Sequence, residues 1–146
     1  MRSSRSRWRA PGSREGRRGQ ALIEVALLTP VLLLMFAGTV EIGRAFRSYQ
    51  IVTDATREGL RWTAGRALTS PQAEEFVREA LGRGGLNPDE ATFSWPVGTG
   101  GGLATGDQVG LRVEYRHEWS FLGPVLGWVG DDGAITLSTE LYTRMS

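Results

Sequence analysis

From Ala21 to Val40 the chain runs for 20 residues with Glu24 as its only charged side chain. As a helix, at 1.5 Å per residue, such a run matches the ~30 Å hydrocarbon depth of a bilayer. It is the only apolar stretch of that length, so it fixes the architecture around it: an N-terminal flank, a membrane-length helix and a C-terminal remainder. A carboxylate at membrane depth costs roughly 2.5–3.5 kcal/mol at a helix centre and less near the interface. Glu24 therefore needs a reason to be there.

The flanks differ in charge. Seven arginines against Glu15 give the first 19 residues +6, and from Gln20 onward ten arginines against fifteen acids give −5. Positive flanks stay cytoplasmic, so the N-terminus is expected inside and the C-terminal portion outside the cell membrane. The apolar helix directly behind the basic segment explains its charge better than a nucleic-acid-binding arm does. A cleaved secretory peptide fits poorly. The apolar run is too long, an acid interrupts it near its start, and no small-residue cleavage site follows. The pair Arg17–Arg18 has the look of a twin-arginine signal, but the residues after it do not continue that pattern. Cysteine is absent, which excludes disulfides, thiolate nucleophiles and cysteine-ligated metals. Lysine is absent as well, which we read as base bias in the coding sequence.

Four segments follow: a basic leader over 1–19, rich in Arg, Ser, Gly and Pro and expected to be disordered; a transmembrane segment over 20–40; an amphipathic continuation of the same helix over 41–65; and an α+β head over 66–146. In the continuation, Ile42, Phe46, Tyr49, Val52, Ala55 and Leu60 recur at near-helical spacing. Glu41, Arg44, Arg47, Asp54, Arg57, Glu58 and Arg61 occupy the rest, with Asp54 and Arg57 spaced for an i,i+3 contact. Pro30 removes a backbone donor and is expected to kink the helix. Gly38, Gly43 and Gly59 are places where a neighbouring element can approach closely, or simply tolerated glycines.

In the head, Ser70 and Pro71 open a short helix whose apolar stripe is Ala73, Phe76, Val77, Ala80 and Leu81, ended by Gly82 and Gly84–Gly85. Three alternating segments read as strands. The first holds Ala91, Phe93, Trp95 and Val97, with Pro96 favouring an edge. The second points Val109, Leu111, Val113, Tyr115 and Trp119 one way. The third runs from about Ala134 to Met145 with Ile135, Leu137, Leu141 and Met145 on one face. The fold class is therefore α+β: a long N-terminal helix, transmembrane and then amphipathic, packed on a small antiparallel sheet with one short extra helix. The amphipathic half of the long helix, the short helix or both cover one face of the sheet. The connector Phe121–Val129 is unusually apolar, either a buried loop or an exposed patch touching membrane or a partner.

The sequence offers few convergent reactive groups. His117 is the only histidine and sits at an inward strand position, which suits a core residue better than a general base. Asp131–Asp132 reads as a turn rather than a metal site. Gly98-Thr99-Gly100-Gly101-Gly102 precedes a strand, and no lysine exists to contact a phosphate, so it reads as a hairpin loop. No enzyme activity, cofactor, metal or small-molecule substrate is expected.

The stretch Arg18-Gly19-Gln20-Ala21-Leu22-Ile23-Glu24-Val25-Ala26-Leu27-Leu28-Thr29-Pro30, followed by apolar residues and Val40-Glu41-Ile42-Gly43-Arg44, resembles the TadE-like proteins. These are pseudopilin-type components of tight-adherence (Flp-type) pilus systems. A weaker echo is Ala55-Thr56-Arg57-Glu58-Gly59-Leu60-Arg61. One departure is Val25, where pilin-like proteins of this class often carry an aromatic residue. The resemblance implies a pilin-like fold and cleavage by a prepilin peptidase between Gly19 and Gln20. It also implies a registry role for Glu24 against the new terminal amine of a neighbouring subunit. The implied partners are the membrane, the peptidase, other pilin-like subunits and the pilus assembly platform. The alternative is a permanently anchored, single-pass extracytoplasmic binding domain.

Overall fold

The computed structural model describes residues 14–65, 68–98, 105–127 and 133–145. The expected disorder of residues 1–13, the loop at 99–104 and the Asp131–Asp132 turn lie outside them. In chain order the elements are α1 (Arg14–Ala64), α2 (Ser70–Arg83), a single 3-10 turn (Pro88–Glu90), β1 (Ala91–Val97), β2 (Gln108–Glu118), α3 (Gly123–Leu126) and β3 (Ala134–Arg144). The chain divides into two units, Met1–Ala37 and Gly38–Ser146, and α1 contributes to both.

The described part of the first unit is helix. It begins at Arg14, six residues before the expected start, and continues through Pro30. The early start has a local cause: Arg14, Glu15, Arg17, Arg18 and Gln20 are all good helix formers, which a reading of the segment as composition alone overlooks. From Leu22 to Phe36 every large apolar side chain is exposed, between 50 and 71%. Among the described residues of the unit, nothing covers any side of this helix. Among the described residues, α1 is the one helix long and apolar enough to cross a membrane.

The second unit has a true core. β1, β2 and β3 form an antiparallel meander with β2 in the middle. β2 and β3 pair without interruption from Gln108↔Arg144 to Glu118↔Ala134. β1 pairs with β2 from Ala91↔Tyr115, and its register shifts between Ser94 and Val97, around Pro96. A residue without an N–H is tolerated there because β1 is an edge strand. The inner face of β2 supplies Val109, Leu111, Val113 and Tyr115, all buried. Over them lie Val52, Ala55, Leu60 and Ala64 of α1 and Val77 and Leu81 of α2, so both helices cover the sheet.

Two details of the helices differ from expectation. The N-cap of α2 is Thr69 rather than Ser70, and its backbone N–H and hydroxyl both donate to Gln72 Oε1 at 2.9 Å. The helix then passes Gly82 and stops where Gly85 turns to φ +82°. On α1, the face turned to the core is Glu41, Ser48, Val52, Ala55, Thr56, Leu60 and Thr63. Ile42, Phe46 and Tyr49 are instead 66, 61 and 41% exposed. At 100° per residue they fall to one flank of the line through Glu41, Ser48 and Val52, which the sheet leaves uncovered. Of the three α1 glycines singled out, Gly59 is a close approach: a Cβ there would lie 2.6 Å from Val77 Cγ2, whereas Gly38 and Gly43 face open space.

Candidate functional site

The four residues singled out by sequence, Gly19, Gln20, Glu24 and Pro30, all lie on α1 and are all exposed. The Gly19–Gln20 bond is inside the helix, and open space surrounds the glycine. Gln20 and Glu24 are one turn apart, an offset of ~6 Å along and ~40° around the axis, so they share a face. Among the described residues no hydrogen bond or ion pair engages the Glu24 carboxylate. Its neighbours Leu22, Ile23, Val25, Leu27 and Leu28 present only hydrocarbon. Five residues on, the Thr29 hydroxyl donates to the Val25 carbonyl at 2.7 Å, next to the position where Pro30 contributes no N–H.

A second carboxylate is engaged in the opposite way. Glu41 follows directly on the apolar run and has no exposed surface at all. Its Oε1 accepts from the Ser120 backbone N–H at 2.7 Å and its Oε2 from that of Phe121 at 2.9 Å. Burial alone pushes its pKa up. The two backbone N–H groups, with the Arg44 and His117 charges, outweigh that and hold it below the ordinary value. The cover over Glu41 is thin, because Ser120 and Phe121 are themselves exposed. The Arg44 guanidinium sits 5.9 Å from the centre of the Phe121 ring. By sequence alone Glu41 belongs to the polar face of the amphipathic helix. The one local hint was an acid placed first after an apolar run, three residues before an arginine.

His117 lies beside this latch, buried as expected for an inward position on β2. Its Nδ1 is 3.2 Å from the Ser48 hydroxyl, and its ring meets Trp119 edge-on at 5.9 Å. Among the described residues Nε2 has no hydrogen-bond partner. Burial pushes the imidazole pKa down, the Glu41 charge opposes this and the Arg44 charge adds to it. Arg44, Arg47, Tyr115 and Arg116 border a cleft of about 280 Å³ on this side of the unit. Trp119, expected to continue the strand, falls just past the end of β2. Its N–H donates to the Gly133 carbonyl at 2.9 Å and so closes the neck of the connector.

Residues 19–61 match the family model described as TadE-like protein. Over that segment, just under a third of its length, the chain is similar to the TadE-like proteins. The matched residues hold both carboxylates, the exposed Glu24 of the apolar run and the latched Glu41, and the match points toward pilus assembly. No curated protein and no solved structure matches the chain.

Proposed function

We propose that this TadE-like protein is a membrane-anchored minor pseudopilin, an assembly component of a tight-adherence (Flp-type) pilus or a related secretion fibre. Residues 20–40 span the cell membrane once, the N-terminus lies in the cytoplasm and the head outside. A prepilin peptidase removes the leader between Gly19 and Gln20. That cut strips seven arginines and leaves an α-ammonium at Gln20.

The observation that carries this reading is Glu24: a lone carboxylate among exposed apolar side chains, one turn from Gln20. A charge in hydrocarbon is tolerable with a partner and costly without one. The ammonium of a neighbouring subunit supplies that partner, so Glu24 sets the register in which subunits dock. The exposed flank of Ile42, Phe46 and Tyr49 continues an apolar surface beyond the membrane run and offers further area to a neighbouring helix. Other pilin-like subunits and the assembly platform are the partners this requires.

A second reading has one observation behind it. Because α1 runs unbroken through Gly19 and Gln20, the bond to be cut is folded into helix, as befits a permanently anchored binding domain that keeps its leader. Gly19 lowers the local cost of unwinding by about 1 kcal/mol relative to alanine, which favours the cut. The test compares Glu24→Ala and Glu24→Gln with wild type in cells carrying the other pilus components. Co-purification with those components is expected to fall sharply in both variants. Wild-type recovery of the assembly with either variant refutes the registry role.

A further inference from the structure

We propose that the first part of the connector between β2 and β3, Ser120 to Pro124, is a membrane-contacting segment that seats the head on the outer surface of the bilayer. The inference rests on the reading of 20–40 as the membrane-spanning segment and deepens it, assigning a lipid surface as the partner of a part of the head.

Position comes first. Val40 ends the apolar run and Glu41 is the next residue, so chain continuity alone holds Glu41 to Arg44 at the level of the lipid headgroups. The two Glu41 hydrogen bonds fasten the Ser120 and Phe121 backbone at that same level, and Arg44 lies against the Phe121 ring. A loop 79 and 80 residues away in sequence is thus pinned to the first turn after the membrane segment.

Composition comes second. From Trp119 to Gly130 the sequence has no charged residue. Phe121 is 58% exposed and Pro124 is exposed, with Leu122 half-buried between them. An apolar ring can sit among the upper acyl chains while the neighbouring arginine lays its stem along it and reaches the phosphates with its guanidinium. A protein partner would also cover an apolar loop, but only the bilayer is brought to this loop by the chain itself.

The absence of cysteine from the chain makes the test clean. Single cysteines are introduced as Phe121→Cys and, at a second exposed position of the loop, Ser120→Cys. Leu28→Cys reports the apolar run and Glu75→Cys an exposed position on α2. Each full-length variant is labelled with a polarity-sensitive fluorophore. It is then reconstituted in vesicles of phosphatidylethanolamine and phosphatidylglycerol, with and without lipids carrying a spin label near the headgroup or deep in the chain. The loop labels should emit to the blue of the Glu75→Cys label and lose most of their intensity to the shallow quencher, and the Leu28→Cys label to the deep one. Loop labels that escape quenching while Leu28→Cys is quenched overturn the proposal and leave membrane anchoring intact. Blue-shifted loop labels that no lipid quencher reaches mean protein cover, and overturn it too. An unquenched Leu28→Cys removes the membrane reading and this inference together.

Discussion

Replacing Glu41 by alanine is expected to loosen the head at one identifiable place. The wild-type carboxylate accepts two backbone N–H groups, at 2.7 and 2.9 Å, from residues 79 and 80 positions away. Hydrogen bonds to a charged group are worth about 1.5–3 kcal/mol each in net stability. Two such bonds sum to about 3–6 kcal/mol, but Ser120 and Phe121 are exposed, so water can reach the freed donors once the side chain is gone, which brings the loss below that sum. A loss of about 2–3 kcal/mol is expected for Glu41→Ala. Glu41→Gln keeps the volume and one acceptor but turns an NH2 toward the other donor, and about 1–2 kcal/mol is expected. The assay is urea unfolding of the full chain in detergent micelles, followed by tryptophan fluorescence, with hydrogen exchange at the two amides as the local readout. Both amides should exchange faster in both variants. If each variant unfolds within about 0.5 kcal/mol of wild type, the range of an unremarkable surface change, and exchange at residues 120 and 121 is unaltered, the latch does not exist.

The remaining expectations are briefer. Gly59→Val should destabilise the head by about 1–3 kcal/mol, because its Cβ would press on the stiff, fully buried Val77. Gly43→Ala meets open space and should stabilise by about 0.5–1 kcal/mol; thermal unfolding of the two variants side by side checks the contrast. Acid should weaken the head in two steps, because His117 and Glu41 both have folded pKa values below their ordinary ones of 6.5 and 4.5. For each group the unfolded chain binds its proton at higher pH than the fold does. Stability is therefore full above the ordinary value and is lost as pH falls toward the lowered one, first for the imidazole and then for the carboxylate. Midpoints measured from pH 8 to pH 3, at about one-unit steps, should decline through both windows, and His117→Phe should abolish the first.

Much of the head was legible because its signals are local. The strands show clean alternation, and the stripe of α2 shows clean helical spacing, so Val77, Leu81, Val109, Leu111 and Val113 were assigned to the core from sequence and are buried there. What stayed hidden depends on partners far away in the chain. Glu41 looks like any acid on an amphipathic helix until residues 120 and 121 fold over it. Ile42, Phe46 and Tyr49 show the right period, but periodicity does not say which flank the sheet covers. The start of α1 is hidden because a segment rich in Arg, Ser and Gly suggests disorder, although the helix formers within it are consecutive enough to carry a helix back to Arg14.

At the candidate site the sequence supplied the residues and their spacing, and the structure added the environment. Glu24 could be seen to lie in an apolar run. That Leu22, Ile23, Val25, Leu27 and Leu28 around it are all exposed, with no hydrogen bond or ion pair to its carboxylate among the described residues, is a property of the folded helix. On the proposal above, a neighbouring subunit's ammonium is the partner that offsets the cost of a carboxylate in that setting.

The central claim is reached most directly by intact-mass analysis of the protein purified from membranes of cells that carry an active prepilin peptidase. The account predicts a chain that begins at Gln20, with the arginine-rich leader gone. A chain still beginning at Met1 under those conditions would contradict it, since Glu24 would then have no new ammonium to meet.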